Sequence, residues 1–177
     1  KDLIPEGITY DPVSKQFFVS SINKEKIVSI NRNGVVSDFV NSRQDSLMET
    51  LGMKVDAVAR RLWVVSNKTL DNINWSAVHV YDIDSKNLIN RIIVSDTAPA
   101  LFNDLVLTSS GDAYITDSYA SRIYHADKNL DKLELFMGPD SLLKWVNGIA
   151  ISPDNKLLFP ASGAQITVIE IETKGIR

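Results

Sequence analysis

The sequence predicts an all-β protein of the β-propeller class, built from four-stranded antiparallel units, and three observations carry that expectation. A strand-opening motif returns four times along the 177 residues, beginning at Glu6, Leu51, Asn103 and Asn147, so that successive returns lie 44 to 52 residues apart. Each return is followed by short runs of β-branched and aromatic residues, and the runs are separated by clusters of Asp, Asn, Gly and Pro. Units of about 40 to 50 residues that hold four short strands are the signature of propeller blades.

The elements follow in the same order in every unit. First strands are predicted from Glu6-Gly7-Ile8-Thr9-Tyr10-Asp11, Leu51-Gly52-Met53-Lys54-Val55-Asp56, Asn103-Asp104-Leu105-Val106-Leu107 and Asn147-Gly148-Ile149-Ala150-Ile151-Ser152. Second strands are predicted at 17–20, 62–65, 113–116 and 157–159, and third strands at 27–30, 78–81, 123–126 and 166–169. A fourth run appears in three units only, at 35–40, 88–94 and 133–136. Asn33-Gly34, Ser110-Gly111-Asp112 and Pro153-Asp154-Asn155 supply turn residues between strands. The longer second unit places its extra residues around Asp71-Asn72-Ile73-Asn74-Trp75, read as a loop insertion, and 42–50 and 139–145 have room for a helical turn. The aromatic residues Phe17, Phe18, Trp63, Tyr114 and Phe159 of the second strands are expected to pack between neighbouring blades.

One propeller domain is therefore expected over 1–177, with blades at about 6–50, 51–101, 102–146 and 147–177. The fourth unit reaches Arg177 before its last strand, and an open propeller exposes a strand edge. The rest of the ring is expected from further residues of a longer polypeptide, from residues before Lys1 or from another chain, with a complete four-bladed ring as the remaining alternative.

Composition narrows the function classes. Nineteen Lys and Arg stand against 22 Asp and Glu, a net charge of −3, with no basic block on any segment. Nucleic acid and anionic membrane are disfavoured as partners. With no cysteine there is no disulfide framework, thiolate zinc site or cysteine nucleophile. No apolar run approaches the roughly 20 residues of a membrane span, and Lys1-Asp2-Leu3-Ile4-Pro5 is not a signal-peptide core. A processed chain of a secreted or periplasmic protein would start in the same way.

First strands of propeller blades line the central channel, so the residue that opens each one points toward a common axis. That position reads Glu6, Leu51, Asn103, Asn147. One carboxylate and two carboxamides converging from separate blades suit a hard divalent cation, Ca²⁺ first, with Zn²⁺, Mn²⁺ and Mg²⁺ as alternatives; zinc would lack its usual His or Cys ligands. The plainer reading is that the Asn residues cap turns and Glu6 sits in solvent. Asp104 and Asp117 are candidate supporting or substrate-facing carboxylates, although Asp104 takes the slot that Gly holds in the other units. The two histidines, His79 and His125, fall in third strands and are expected to be packed or surface residues rather than general bases. Trp75 and Trp145 are read as loop residues, either anchors or part of a channel mouth.

The strings Pro5-Glu6-Gly7-Ile8-Thr9-Tyr10-Asp11, Phe102-Asn103-Asp104 and 146–156, which opens Val-Asn-Gly-Ile-Ala-Ile-Ser-Pro-Asp, resemble motifs of the regucalcin/gluconolactonase family and, more distantly, of the paraoxonase and strictosidine synthase-like propellers. The resemblance covers nearly the whole chain. It implies a six-bladed propeller with a divalent cation in the channel and, in the enzymes, hydrolysis of lactones or related esters. It also implies that Glu6, Asn103 and Asn147 are three of four metal ligands. The fourth, an Asp opening a later blade, would lie beyond Arg177. Where the sugar-lactone enzymes often carry Arg two residues before the Asn-Asp pair, this chain has Leu101, which leaves acyl specificity open.

The resulting expectation is a metal-dependent hydrolase acting on a small-molecule lactone or ester, with Asp104 or the later Asp as the base for the attacking water. The competing expectations are a non-catalytic propeller that binds a ligand or protein around a structural ion, and a fragment with no activity of its own.

Overall fold

The computed structural model describes residues 2–163 and 165–177. Four antiparallel sheets follow one another along the chain. The first holds β1 (Pro5–Asp11), β2 (Gln16–Ser21), β3 (Lys26–Ile30) and β4 (Val36–Val40), and the second β5 (Glu49–Asp56), β6 (Arg61–Leu70), β7 (Ile73–Asp82) and β8 (Leu88–Asp96). The third holds β9 (Phe102–Leu107), β10 (Ala113–Asp117), β11 (Arg122–Ala126) and β12 (Leu133–Met137). The fourth holds β13 (Val146–Ile151), β14 (Leu157–Ser162) and the short β15 (Gln165–Ile166) and β16 (Ile169–Glu170). The first three sheets are meanders, in the fourth β15 and β16 both pair with β14, and the two segments read as possible helical turns form 3-10 turns at Gln44–Ser46 and Ser141–Leu143. No helix among the described residues is long and apolar enough to cross a membrane.

The sheets stack through their faces. Alternation along β6 sends Leu62 and Val64 toward the first sheet, where they join Phe18, Ile27, Phe39 and Tyr81, while Trp63 and Val65 join Phe102, Leu105 and Ile115 of the third. Tyr114, Ile123 and Phe136 meet Val146, Ile149 and Leu158 in a third cluster, between the third and fourth sheets. Strands buried on both faces lose the polar alternation of a half-exposed strand, as the unbroken burial of 62–67 shows. The first strands sit side by side, β1 against β5, β5 against β9 and β9 against β13, so the ends of all four face one axis.

Three sequence expectations are corrected. Asp71–Trp75 is not a loop insertion: β6 and β7 pair over ten residues each around a two-residue turn, Asp71-Asn72, both at positive φ (52° and 61°). Asp and Asn tolerate that conformation, which matches the twist of a hairpin, so the extra residues lengthen the strands and put Trp75 in β7. The third run of the fourth unit is split, with β15 and β16 pairing separately with β14 around Thr167. Of the second-strand aromatics, Phe18, Trp63 and Tyr114 are buried as expected, whereas Phe17 is exposed and packs against Tyr10 at a tilt, with centroids 4.9 Å apart.

Candidate functional site

The same irregularity opens all four first strands. Pro5 pairs with Ser21 but Ile8 with Val19; Thr50 with Ser66 but Met53 with Val64; Phe102 with Asp117 but Leu105 with Ile115; Val146 with Ser162 but Ile149 with Pro160. In each case three steps on the first strand oppose two on the second, a β-bulge with one extra residue. The bulged pairs are Glu6-Gly7, Leu51-Gly52, Asn103-Asp104 and Asn147-Gly148. A bulge turns side chains away from the regular in-and-out alternation, which is how three polar openers point at the axis while the rest of their strands feed the cores.

The first two bulges lie close enough to their neighbours to require glycine. A Cβ on Gly7 would come 2.3 Å from the carbonyl oxygen of Leu51, and one on Gly52 would come 2.7 Å from both Asn103 O and Asp104 Cα. At Gly148 the nearest neighbour of such a Cβ is Asp104 Oδ2 at 3.9 Å. Asp104 therefore fits its glycine slot because the carboxylate reaches over the next bulge, where Oδ2 accepts from Ile149 N at 3.4 Å.

Buried polar side chains on the second strands fix these bulges. Ser20 Oγ accepts from Gly7 N (2.7 Å), and Thr116 Oγ1 accepts from Asp104 N (3.0 Å) while donating to Asn147 O (2.7 Å). Asn67, in β6, accepts from Phe102 N (2.8 Å) and donates to Phe102 O (2.6 Å), with Ser76 Oγ donating to its Oδ1. Ser118 receives Asn103 Nδ2 at 3.0 Å and donates to Val146 O. Because the amide nitrogen of Asn103 is engaged this way, its Oδ1 is the oxygen left to the cavity.

Glu6, Asn103, Asp104 and Asn147 line one cavity of about 200 Å³, together with Gly52 and Lys54. Glu6 and Asn147 are exposed in it, and Asn103 and Asp104 are half-buried. Leu51, the fourth opener, is buried among Trp63, Val65 and Phe102 instead. Lys54 enters the site unannounced by the sequence pattern: its Nζ lies 3.7 Å from Asp104 Oδ1. Two carboxylates against one ammonium leave the cavity with a negative charge over. Oxygen donors with that balance suit a hard divalent cation in the Glu6, Asn103 and Asn147 set. Among the described residues no three His, Cys, Asp or Glu side chains cluster as ligands, so any cation here depends on carboxamide oxygens.

Asp117 is not a cavity residue. It is fully buried at the end of β10, where Oδ1 accepts from Leu101 N (2.9 Å) and Ala120 N (3.1 Å), and burial raises its pKa. His79 is packed inside the second sheet with Nε2 3.2 Å from Asp45 O, and burial lowers its pKa to about 4.

Meandering four-stranded sheets arranged with their first strands around one axis define the β-propeller class. Neither sequence families nor curated proteins give a match to the chain. Solved structures do, at the level of fold. A nidogen/laminin complex matches with TM-score 0.77 and 16% identity, over 97% of this chain and 61% of that one. A gluconolactonase from Xanthomonas campestris matches with TM-score 0.71 and 17% identity, over 98% and 60%. Virginiamycin B lyase from Staphylococcus aureus, inactivated and bound to quinupristin, matches with TM-score 0.70 and 16% identity, over 98% and 54%. The chain spans less than two thirds of the length of each.

Proposed function

We propose that the chain is part of a divalent-metal-dependent propeller hydrolase that opens lactones or cleaves related esters. The observation that carries this reading is the bulge shared by all four first strands, which gathers one carboxylate, two carboxamides and a further carboxylate from three blades around one cavity. The likeness in fold to a gluconolactonase supports it.

In this reading Glu6, Asn103 and Asn147 hold the cation, Ca²⁺ before Mg²⁺, Mn²⁺ or Zn²⁺. Bound there, it supplies a Lewis acid to the substrate carbonyl. Asp104 takes the proton of a water whose oxygen bonds to the carbonyl carbon; the ring C–O bond then breaks and the proton passes to the departing alkoxide. Lys54 and Ile149 N hold the two oxygens of Asp104 in place across the gap between blades. Ile8, Tyr10 and Phe17 leave an apolar face exposed on the first sheet, and this supports further blades, from the same polypeptide or another chain, completing the ring.

The test is turnover of δ-gluconolactone, γ-butyrolactone and phenyl acetate by the full-length protein, before and after chelation. Hydrolysis that chelation abolishes and Ca²⁺ restores is expected, with Asn147→Ala reducing it about 100-fold or more. A second reading, a non-catalytic binding propeller with a structural ion, draws support from the nidogen/laminin match. It is favoured if no substrate turns over while Ca²⁺ still raises the melting temperature.

A further inference from the structure

A second cavity, of about 310 Å³, is lined by residues that follow β10 and precede β13. Its walls include Ser118, Tyr119, Asp140, Lys144 and Trp145. Tyr119 and Trp145 are large aromatics left 50% and 58% exposed, and their rings meet edge to face, 5.6 Å between centroids at 87°. Trp145 holds φ of +58°, a conformation that costs a bulky residue energy and that leaves the indole in solvent instead of anchoring the loop. One hydrogen bond links this cavity to the candidate site. Ser118 lines it, receives Asn103 Nδ2 and donates to Val146 O, the residue between Trp145 and Asn147.

Two aromatic rings standing in water at right angles present an apolar edge and face with little rotamer entropy left to lose, a surface suited to a flat or extended apolar group. We propose that Tyr119 and Trp145 form a specificity subsite for the apolar part of the substrate, an aryl or alkyl substituent on the lactone or ester, seated beside the reacting carbonyl. This rests on reading the Glu6/Asn103/Asn147 cavity as the reacting centre. The substrate class is then an aryl- or alkyl-substituted lactone or ester, chosen by the two exposed rings.

The experiment compares γ-phenyl-γ-butyrolactone with unsubstituted γ-butyrolactone on the full-length protein, reading both turnover and calorimetric binding. Trp145→Gly and Tyr119→Ala are the variants; glycine accepts the positive φ at position 145, so the first removes the ring without adding backbone strain. Each is expected to weaken binding and kcat/KM for the phenyl lactone about three- to tenfold, leaving the unsubstituted lactone within about twofold. Trp145→Phe should restore most of the difference. Equal effects on both lactones, or none on either, overturn the subsite. If neither lactone turns over yet the phenyl compound binds in a Trp145-dependent way, the hydrolase reading fails and the subsite stands. If the unsubstituted lactone turns over and the phenyl compound gains nothing in binding, the reverse holds.

Discussion

Lys54 Nζ stands 3.7 Å from Asp104 Oδ1, bridging the bulges of the second and third blades inside the candidate cavity. A lysine there competes for the negative charge that a divalent cation would use. Lys54→Met is expected to tighten Ca²⁺ binding about threefold or more at low salt, with the gain shrinking as ionic strength rises. Both side chains are partly exposed, so the same change should move stability by about 1 kcal/mol or less. Calorimetric titration at two salt concentrations, beside a urea melt, separates the two effects.

The close approach of the bulges yields a sharp contrast between two glycines. Gly52→Ala places its methyl group against the backbone of Asn103 and Asp104 and should cost about 1–3 kcal/mol, with the cavity distorted as well. Gly148→Ala meets nothing nearer than 3.9 Å and should stay within about 0.5 kcal/mol. Urea denaturation of the two variants checks this directly.

Asn67 is the hinge pin between the second and third blades, buried and bonded to both backbone groups of Phe102. Asn67→Ala strands a buried N–H and C=O next to Asn103 and is expected to destabilise the protein by about 2–4 kcal/mol. Cation affinity should fall with it, because Phe102 sets the position of its neighbour.

His79 gives the fold a pH dependence. Its folded pKa is pushed down to about 4 by burial, below the ordinary value of 6.5, so the unfolded chain takes up a proton first as pH falls. Stability from this group is complete above about pH 6.5, declines between there and pH 4, and changes no further below. The loss amounts to about 3 kcal/mol. Melts from pH 7 to 4 should show this slope in the native protein and lose most of it in His79→Phe.

The repeat was legible in the sequence because every blade buries its strands in the same order, so the spacing of Glu6, Leu51, Asn103 and Asn147 carried over to space. What the spacing hid was the bulge. Pairing register is a property of two strands together, and nothing in Glu6-Gly7 or Asn147-Gly148 alone says that three steps will oppose two. Gly7 and Gly52 were the available signal, since at these two positions the close approach of neighbouring blades demands glycine. Lys54 was unreadable for a related reason: a charged residue on a strand ordinarily marks a solvent face, and only the stacking of β5 on β9 turns it toward Asp104. The Asp71-Asn72 turn reads as an insertion in sequence because a long hairpin and a short hairpin with a loop have the same composition.

In the proposed function Glu6, Asn103 and Asn147 act together on one divalent ion. Calorimetric titration of the chelator-treated full-length protein with Ca²⁺ tests it most directly, alongside Glu6→Gln, Asn103→Ala and Asn147→Ala. The account predicts a binding event in the native protein that each single variant weakens about tenfold or more while circular dichroism stays unchanged. Ca²⁺ affinity that is the same in all four proteins would contradict it.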